Sequence, residues 1–258
     1  MKQPSNIVGY RAIRRIATGE LITAPAPVYA EDWPYRNIAP NQALFRYMDL
    51  WKFDDLFKTQ ELYFCRVDQY AKKDDPLEGA LSPFGVHGTS ASDVAFEVTS
   101  RTQEAFEKKV TYRETAKGCT FINCWHINDR ESQQMWDKYT ESSDSVVVIT
   151  SAERLAASFR NPIFGSAVKY VDLNTPRTEF DERSLFFYKD VAFKFEQEFR
   201  LLVDLMDLGG SITPDHPDDF FRRIPIDLSK LVCDVRPHPQ ATQETKDKIG
   251  RLVAKHLP

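Results

Sequence analysis

Apolar residues fall at helical spacing in D-L-W-K-F-D-D-L-F (49–57), where Leu50, Phe53, Leu56 and Phe57 share one face. Just before it, A-L-F-R-Y-M from Ala43 reads as a short strand or turn, and E-L-Y-F-C-R-V (61–67) reads as a strand. C-T-F-I-N-C-W-H-I (119–127), rich in β-branched and aromatic residues, predicts another strand. E-S-Q-Q-M-W-D-K-Y (131–139) predicts a helix with Met135, Trp136 and Tyr139 on one side. S-V-V-V-I (145–149) has the continuous apolar character of a buried strand. Thr150 and Glu153 have the spacing of a capping box for a helix over 151–159. Strands are expected at 167–171, 196–203 and 231–235, with helices around 101–110, near 182–190 and over 241–256. The last of these buries Ile249, Leu252, Val253 and Leu257.

About six or seven strands thus alternate with short helices at irregular spacing, which favours an α+β fold of mixed, largely antiparallel sheets over a doubly wound one. The first 40 residues are less regular. Ile7 to Ile16 suits a short helix or strand, and A-P-A-P (24–27), Pro34 and Pro40 impose extended or turning backbone. Residues 1–40 therefore read as a Pro-rich arm packed on one domain, 41–258.

With 258 residues, 42% of them apolar, the chain can bury a full core without staples. The net charge of −4 gives no general affinity for nucleic acid. Cys65, Cys119, Cys124 and Cys233 each lie in an apolar, strand-like run, where four buried, reduced thiols are expected. No segment approaches the ~20 apolar residues of a membrane span, so a cytoplasmic location is expected. Signatures of P-loops, dinucleotide folds, serine hydrolases and zincins are missing. Cys124 and His126 share a strand face but Cys119 points away, so no metal site is expected.

Three segments carry more information: L-Y-F-C-R with D-D-P-L-E-G; N-C-W-H-I-N-D with M-W-D-K-Y; and Y-K-D-V-A-F-K-F-E-Q-E-F-R-L-L-V. In their order they resemble the bacterial domain-of-unknown-function family 2971. Its landmarks match Tyr47, Arg66, Asp75, Pro76, Glu78, Gly79, Cys124, Met135, Trp136, Tyr139, Lys189, Phe193, Glu196, Glu198, Arg200, Val235 and Pro239, over roughly residues 43–256. The family's C-F-S strand reads C-W-H here, and its frequent His before Tyr139 is Lys138, so no role carries over for that Ser or His. The family carries no assigned activity.

Period-two geometry would place Glu196, Glu198 and Arg200 on one strand face. The plain alternative is a wet outer face, which Lys194 and Asp204 at the same parity support. Two like charges this close call for cationic partners, and paired carboxylates are a way to separate acid and base roles. E-x-E opening a strand also resembles the third motif of ADP-ribosyltransferases, which implies a split β-sandwich and NAD as substrate. On that resemblance Arg66 binds dinucleotide phosphates, Glu198 steadies the ribosyl cation, and Glu196 orients an acceptor, protein or nucleic acid, or a water. Trp125 or Tyr63 would stack on a flat ring, with His126, Tyr139 and Arg200 lining the pocket. The middle motif, Ser-Thr-Ser in that superfamily, is Asn-Cys-Trp here.

Two other readings stand beside this one. The transferase reading points to bacterial defence or toxin biology, and the same cleft suits a non-catalytic sensor of a nucleotide or sugar in a bacterial defence or stress system. Asp75 and Glu78 suit a metal-dependent hydrolase, although Pro76 more simply opens a helix capped by Asp74 or Asp75.

Overall fold

A computed structural model describes residues 8–14, 21–27, 35–71, 117–172, 184–204 and 220–257. The chain is α+β: a mixed, mostly antiparallel sheet with short helices packed against it. In chain order the strands are β1 (Val8–Arg14), β2 (Leu21–Pro27), β3 (Tyr35–Arg36), β4 (Ala43–Asp49), β5 (Glu61–Arg66), β6 (Thr120–Ile127) and β7 (Ser145–Ser151). After them come β8 (Phe164–Ala167), β9 (Lys169–Val171), β10 (Tyr188–Asp190), β11 (Glu198–Asp204), β12 (Phe221–Pro225) and β13 (Asp234–Pro237). Nine strands form the main sheet, whose spine runs β13-β7-β4-β6-β11-β8-β3. Along one edge β6 is shared: β4 pairs it at His126 and Ile127, and β5 pairs it at Phe121 and Ile122. The sheet therefore forks there, with β12 outside β5.

The main core covers one face. Leu50, Phe53, Leu56 and Phe57 of helix Leu50–Thr59 pack there, as their spacing predicts, with Phe121, Trp125, Phe199, Leu201 and Ile249. β7 is buried on both faces. Val146 and Val148 enter this core, and Val147 and Ile149 join Phe45, Tyr47, Met135 and Trp136 on the far side. A third apolar cluster of Val67, Ile122, Phe186, Phe187 and Leu202 covers another part of that far side. Gly165 of β8 is needed for close packing, since a Cβ would stand 2.6 Å from the Phe199 ring and 2.8 Å from Tyr35.

In the arm, the strand alternative for Ile7 to Ile16 holds over Val8–Arg14: β1 and β2 pair as an antiparallel hairpin, and Tyr35 of β3 is buried in the main core. Several other expectations change. Ser151, not Thr150, caps helix Ala152–Ser158 by accepting from the Arg154 amide, while the Thr150 hydroxyl donates to the Leu231 carbonyl. In place of a helix near 182–190 stand a 3-10 turn, Ser184–Phe187, and then β10, which pairs in parallel with β9. The strand expected at 231–235 begins at Asp234, because Leu228–Leu231 is a helical turn capped by Asp227. The helix expected around 101–110, and Asp74, Asp75, Pro76, Glu78 and Gly79, lie outside the described residues. No described helix is long and apolar enough to cross a membrane.

No disulfide joins the cysteines: Cys65, Cys119 and Cys124 are half-buried, and Cys233 is exposed, contrary to the buried strand position expected for it. Denaturing, non-reducing mass spectrometry should give the mass of the fully reduced chain, and Cys233 should be the first thiol alkylated in the native protein. A fresh preparation lighter by two hydrogens would contradict this.

Candidate functional site

Between the two apolar clusters of the far face lies a buried group of charges. Cross-strand register sets its base, because Glu198 of β11 stands opposite His126 of β6, and Arg200 opposite Cys124. Directly paired residues point to the same side of a sheet, so these four side chains share one face. Glu198 and Arg200 are 5% and 1% exposed. The outward, wet face is therefore excluded.

Glu196 arrives by another route than strand alternation. Asp190 accepts from the Ala192 amide and caps a 3-10 helix, Val191–Glu196, that ends at Gln197 in a left-handed conformation (φ 39°). The strand begins only at Glu198, so Glu196 is the last residue of a helical turn and not part of β11. The two carboxylates nonetheless converge, through Lys189 of β10. Its Nζ lies 2.6 Å from Glu196 Oε2 and 3.6 Å from Glu198 Oε2. Lys138, from helix Gln133–Tyr139, meets Glu196 Oε1.

Glu198 accepts a two-pronged contact from Arg200, Nε to Oε1 and Nη2 to Oε2, both at 2.8 Å. The third arm of the guanidinium, Nη1, donates to the Phe186 carbonyl at 2.8 Å and ties down the preceding 3-10 turn. Burial alone would raise the Glu198 pKa, but the charges of Arg200 and Lys189, with hydrogen bonds from Arg200 and the Cys124 thiol, hold it at about 2. This carboxylate is an anion across the neutral range, and both its oxygens are occupied. The Glu198 amide donates to the Tyr170 hydroxyl, and burial, reinforced by the Glu198 charge, pushes that phenol upward.

His126 Nδ1 lies 2.6 Å from the Glu196 carbonyl, and the Asn128 amide lies 3.0 Å from Nε2. A carbonyl can only accept, so Nδ1 carries the proton and Nε2 accepts from Asn128. Burial lowers the His126 pKa against the opposing carbonyl contact and Glu196 charge, so the ring is held neutral.

The other candidates do not join this group. Arg66 pairs with Phe121, on the opposite face from His126, and five positions along β6, about 17 Å at the rise of a strand. It is buried, forks onto Asp68 (Nε to Oδ1 2.7 Å, Nη2 to Oδ2 2.9 Å) and covers the Phe220 ring. Trp125 is a core residue whose indole donates to Asn123 at 2.8 Å. Tyr63 is exposed and stacks on Phe221 of β12, 5.2 Å between centroids. Tyr139 is exposed beside Lys138, whose ammonium stands 5.6 Å from its ring.

Sequence reasoning overlooked Lys189, Lys138, Cys124 and Tyr170 as members. Lys189 was legible as a landmark of the family pattern, and Lys138 as a departure from it. Among the described residues no group of three or more His, Cys, Asp or Glu side chains is placed to hold a metal ion. No family model, curated protein or solved structure matches this chain.

Proposed function

We propose that this domain is a non-catalytic binding module, a sensor for a small nucleotide- or sugar-like molecule, rather than an NAD-cleaving transferase. The observation that carries this is the commitment of the would-be catalytic groups. Glu198 is closed by Arg200 and Lys189 inside the fold, and Arg66 is closed by Asp68 on the other face. A carboxylate that steadies a ribosyl cation must turn toward the substrate, and a phosphate fork must open into the same cleft.

Among the described residues, the Lys138 side offers an approach to the cluster. There Tyr139 is exposed, Phe193 and Phe195 are half-buried, and the Lys138 side chain is 26% exposed. Flat rings beside a charged group suit a ligand that has both a ring and a charge. The family 2971 resemblance agrees with this location. Its landmarks Tyr47, Cys124, Trp136, Tyr139, Lys189, Phe193, Glu196, Glu198 and Arg200 come from distant stretches and gather on this face.

NAD separates the two readings. Wild type incubated with NAD is expected to release no nicotinamide. Calorimetric titration with NAD and ADP-ribose should show binding that Arg66→Lys leaves unchanged and Lys138→Met alters. Nicotinamide release that depends on Glu198 would restore the transferase reading.

A further inference from the structure

The Lys138 ammonium sits within three aromatic faces. Its Nζ lies 5.1 Å from the ring centres of Phe193 and Phe195 and 5.6 Å from that of Tyr139. Beneath it is Glu196, 1% exposed. Ring faces carry negative quadrupole density, so three of them around a buried carboxylate recognise an organic ammonium ion. In this structure the chain's own lysine fills that place.

We propose that Lys138 is a displaceable internal ligand, and that the cage of Tyr139, Phe193 and Phe195 over Glu196 receives the primary ammonium group of a small organic amine. The inference rests on the binding reading and names the charged group the ligand brings. Three features support exchange. Lys138 is on a short helix at the surface, and its four-carbon stem lets the head swing into water once its contact with Glu196 is given up. Lys189 approaches Glu196 from the buried side, at Oε2, and keeps that carboxylate paired while the cage is open. The exchange also conserves charge, since one ammonium leaves as another enters. Because Lys138 meets Glu196 Oε1 through an N–H, the site favours a nitrogen with hydrogens to donate over a quaternary one.

The test is titration of n-butylammonium and of tetramethylammonium, at ionic strength matched with sodium chloride, followed by calorimetry or by NMR shifts of the cage rings. Wild type should bind n-butylammonium saturably, and more tightly than tetramethylammonium. Lys138→Met should bind n-butylammonium roughly tenfold or more tighter, because an internal competitor taxes apparent affinity by the fraction of time the cage stands open. Phe195→Leu, in the otherwise native chain, should weaken binding several-fold, which keeps the test valid if Lys138→Met folds poorly. Absence of saturable binding to wild type overturns the proposal, as does binding seen only in Lys138→Met, which would be a hole made by the substitution. Equal affinity in wild type and Phe195→Leu overturns it too. NAD binding alongside a silent n-butylammonium titration sinks the cage and leaves the binding reading standing; silence with every ligand sinks both.

Discussion

Glu198→Gln is expected to cost the domain about 3–5 kcal/mol of stability in urea denaturation, the usual cost of removing one partner from a buried ion pair. From sequence alone the change looks harmless, a relief of like charge between two glutamates. In the fold it leaves Arg200, 1% exposed, without the carboxylate that both prongs of its fork meet. Replacing both members, Glu198→Leu with Arg200→Met, should cost much less than Glu198→Gln alone, since an apolar pair of similar size is tolerated where a lone charge is not. A single-substitution cost below about 1 kcal/mol would show that the pair is dispensable. The same contact sets an acid limit. Glu198 is held at about 2 against its ordinary 4.5, so its contribution is whole above pH 4.5 and drains away as pH falls toward 2. The wild-type curve should bend downward in that interval, and the Glu198→Gln curve should lack that component.

Trp136→Ala should cost a similar amount, about 3–5 kcal/mol, for a different reason. Trp136 is 1% exposed and packs edge-on against Tyr47, 4.8 Å between ring centres, and against His238, at 4.9 Å. Truncation empties the middle of the cluster formed with Phe45, Met135, Val147 and Ile149. For a domain of this size each kcal/mol moves Tm by roughly 2–4 °C, so a fall on the order of 10 °C is expected by calorimetry. Near-native melting with altered ligand binding would place Trp136 at the site instead. Its indole Nε1 has no hydrogen-bond partner among the described residues, so Trp136→Phe should be far milder than the alanine change.

Much of the fold was legible because the periodicities are strong. Four apolar residues of helix Leu50–Thr59 and the apolar run 146–149 of β7 left little choice of partner face. The site was legible only in its membership. Glu196, Glu198 and Arg200 do come together, but the alternation used to unite them fails at Gln197, a non-glycine residue in left-handed backbone that no simple pattern marks. The position of Arg66 was beyond reach for another reason. Which face a strand residue joins depends on register with strands far away in the chain, and β5 meets β6 only at two positions. Trp125 illustrates the same limit. Its neighbours in sequence, Cys124 and His126, face the charges while it faces the core. One signal was present and unread: Asp190, two residues before Ala192, is the cap that starts the turn carrying Glu196.

The fork at β6 also bears on how the chain assembles in time. Its two edges are completed by β4 and β5 from the first third of the sequence and by β11 from the last third, and Leu44 pairs with both Ile127 and Thr150. Few of these ladders are closed by a local hairpin, so large loops must be ordered before their contacts repay the lost entropy. Refolding then belongs in the millisecond-to-second regime of sheets built from non-local pairings. The charged cluster needs β6, β10 and β11 together and is expected to form late, so Glu198→Gln should speed unfolding more than it slows folding in stopped-flow kinetics.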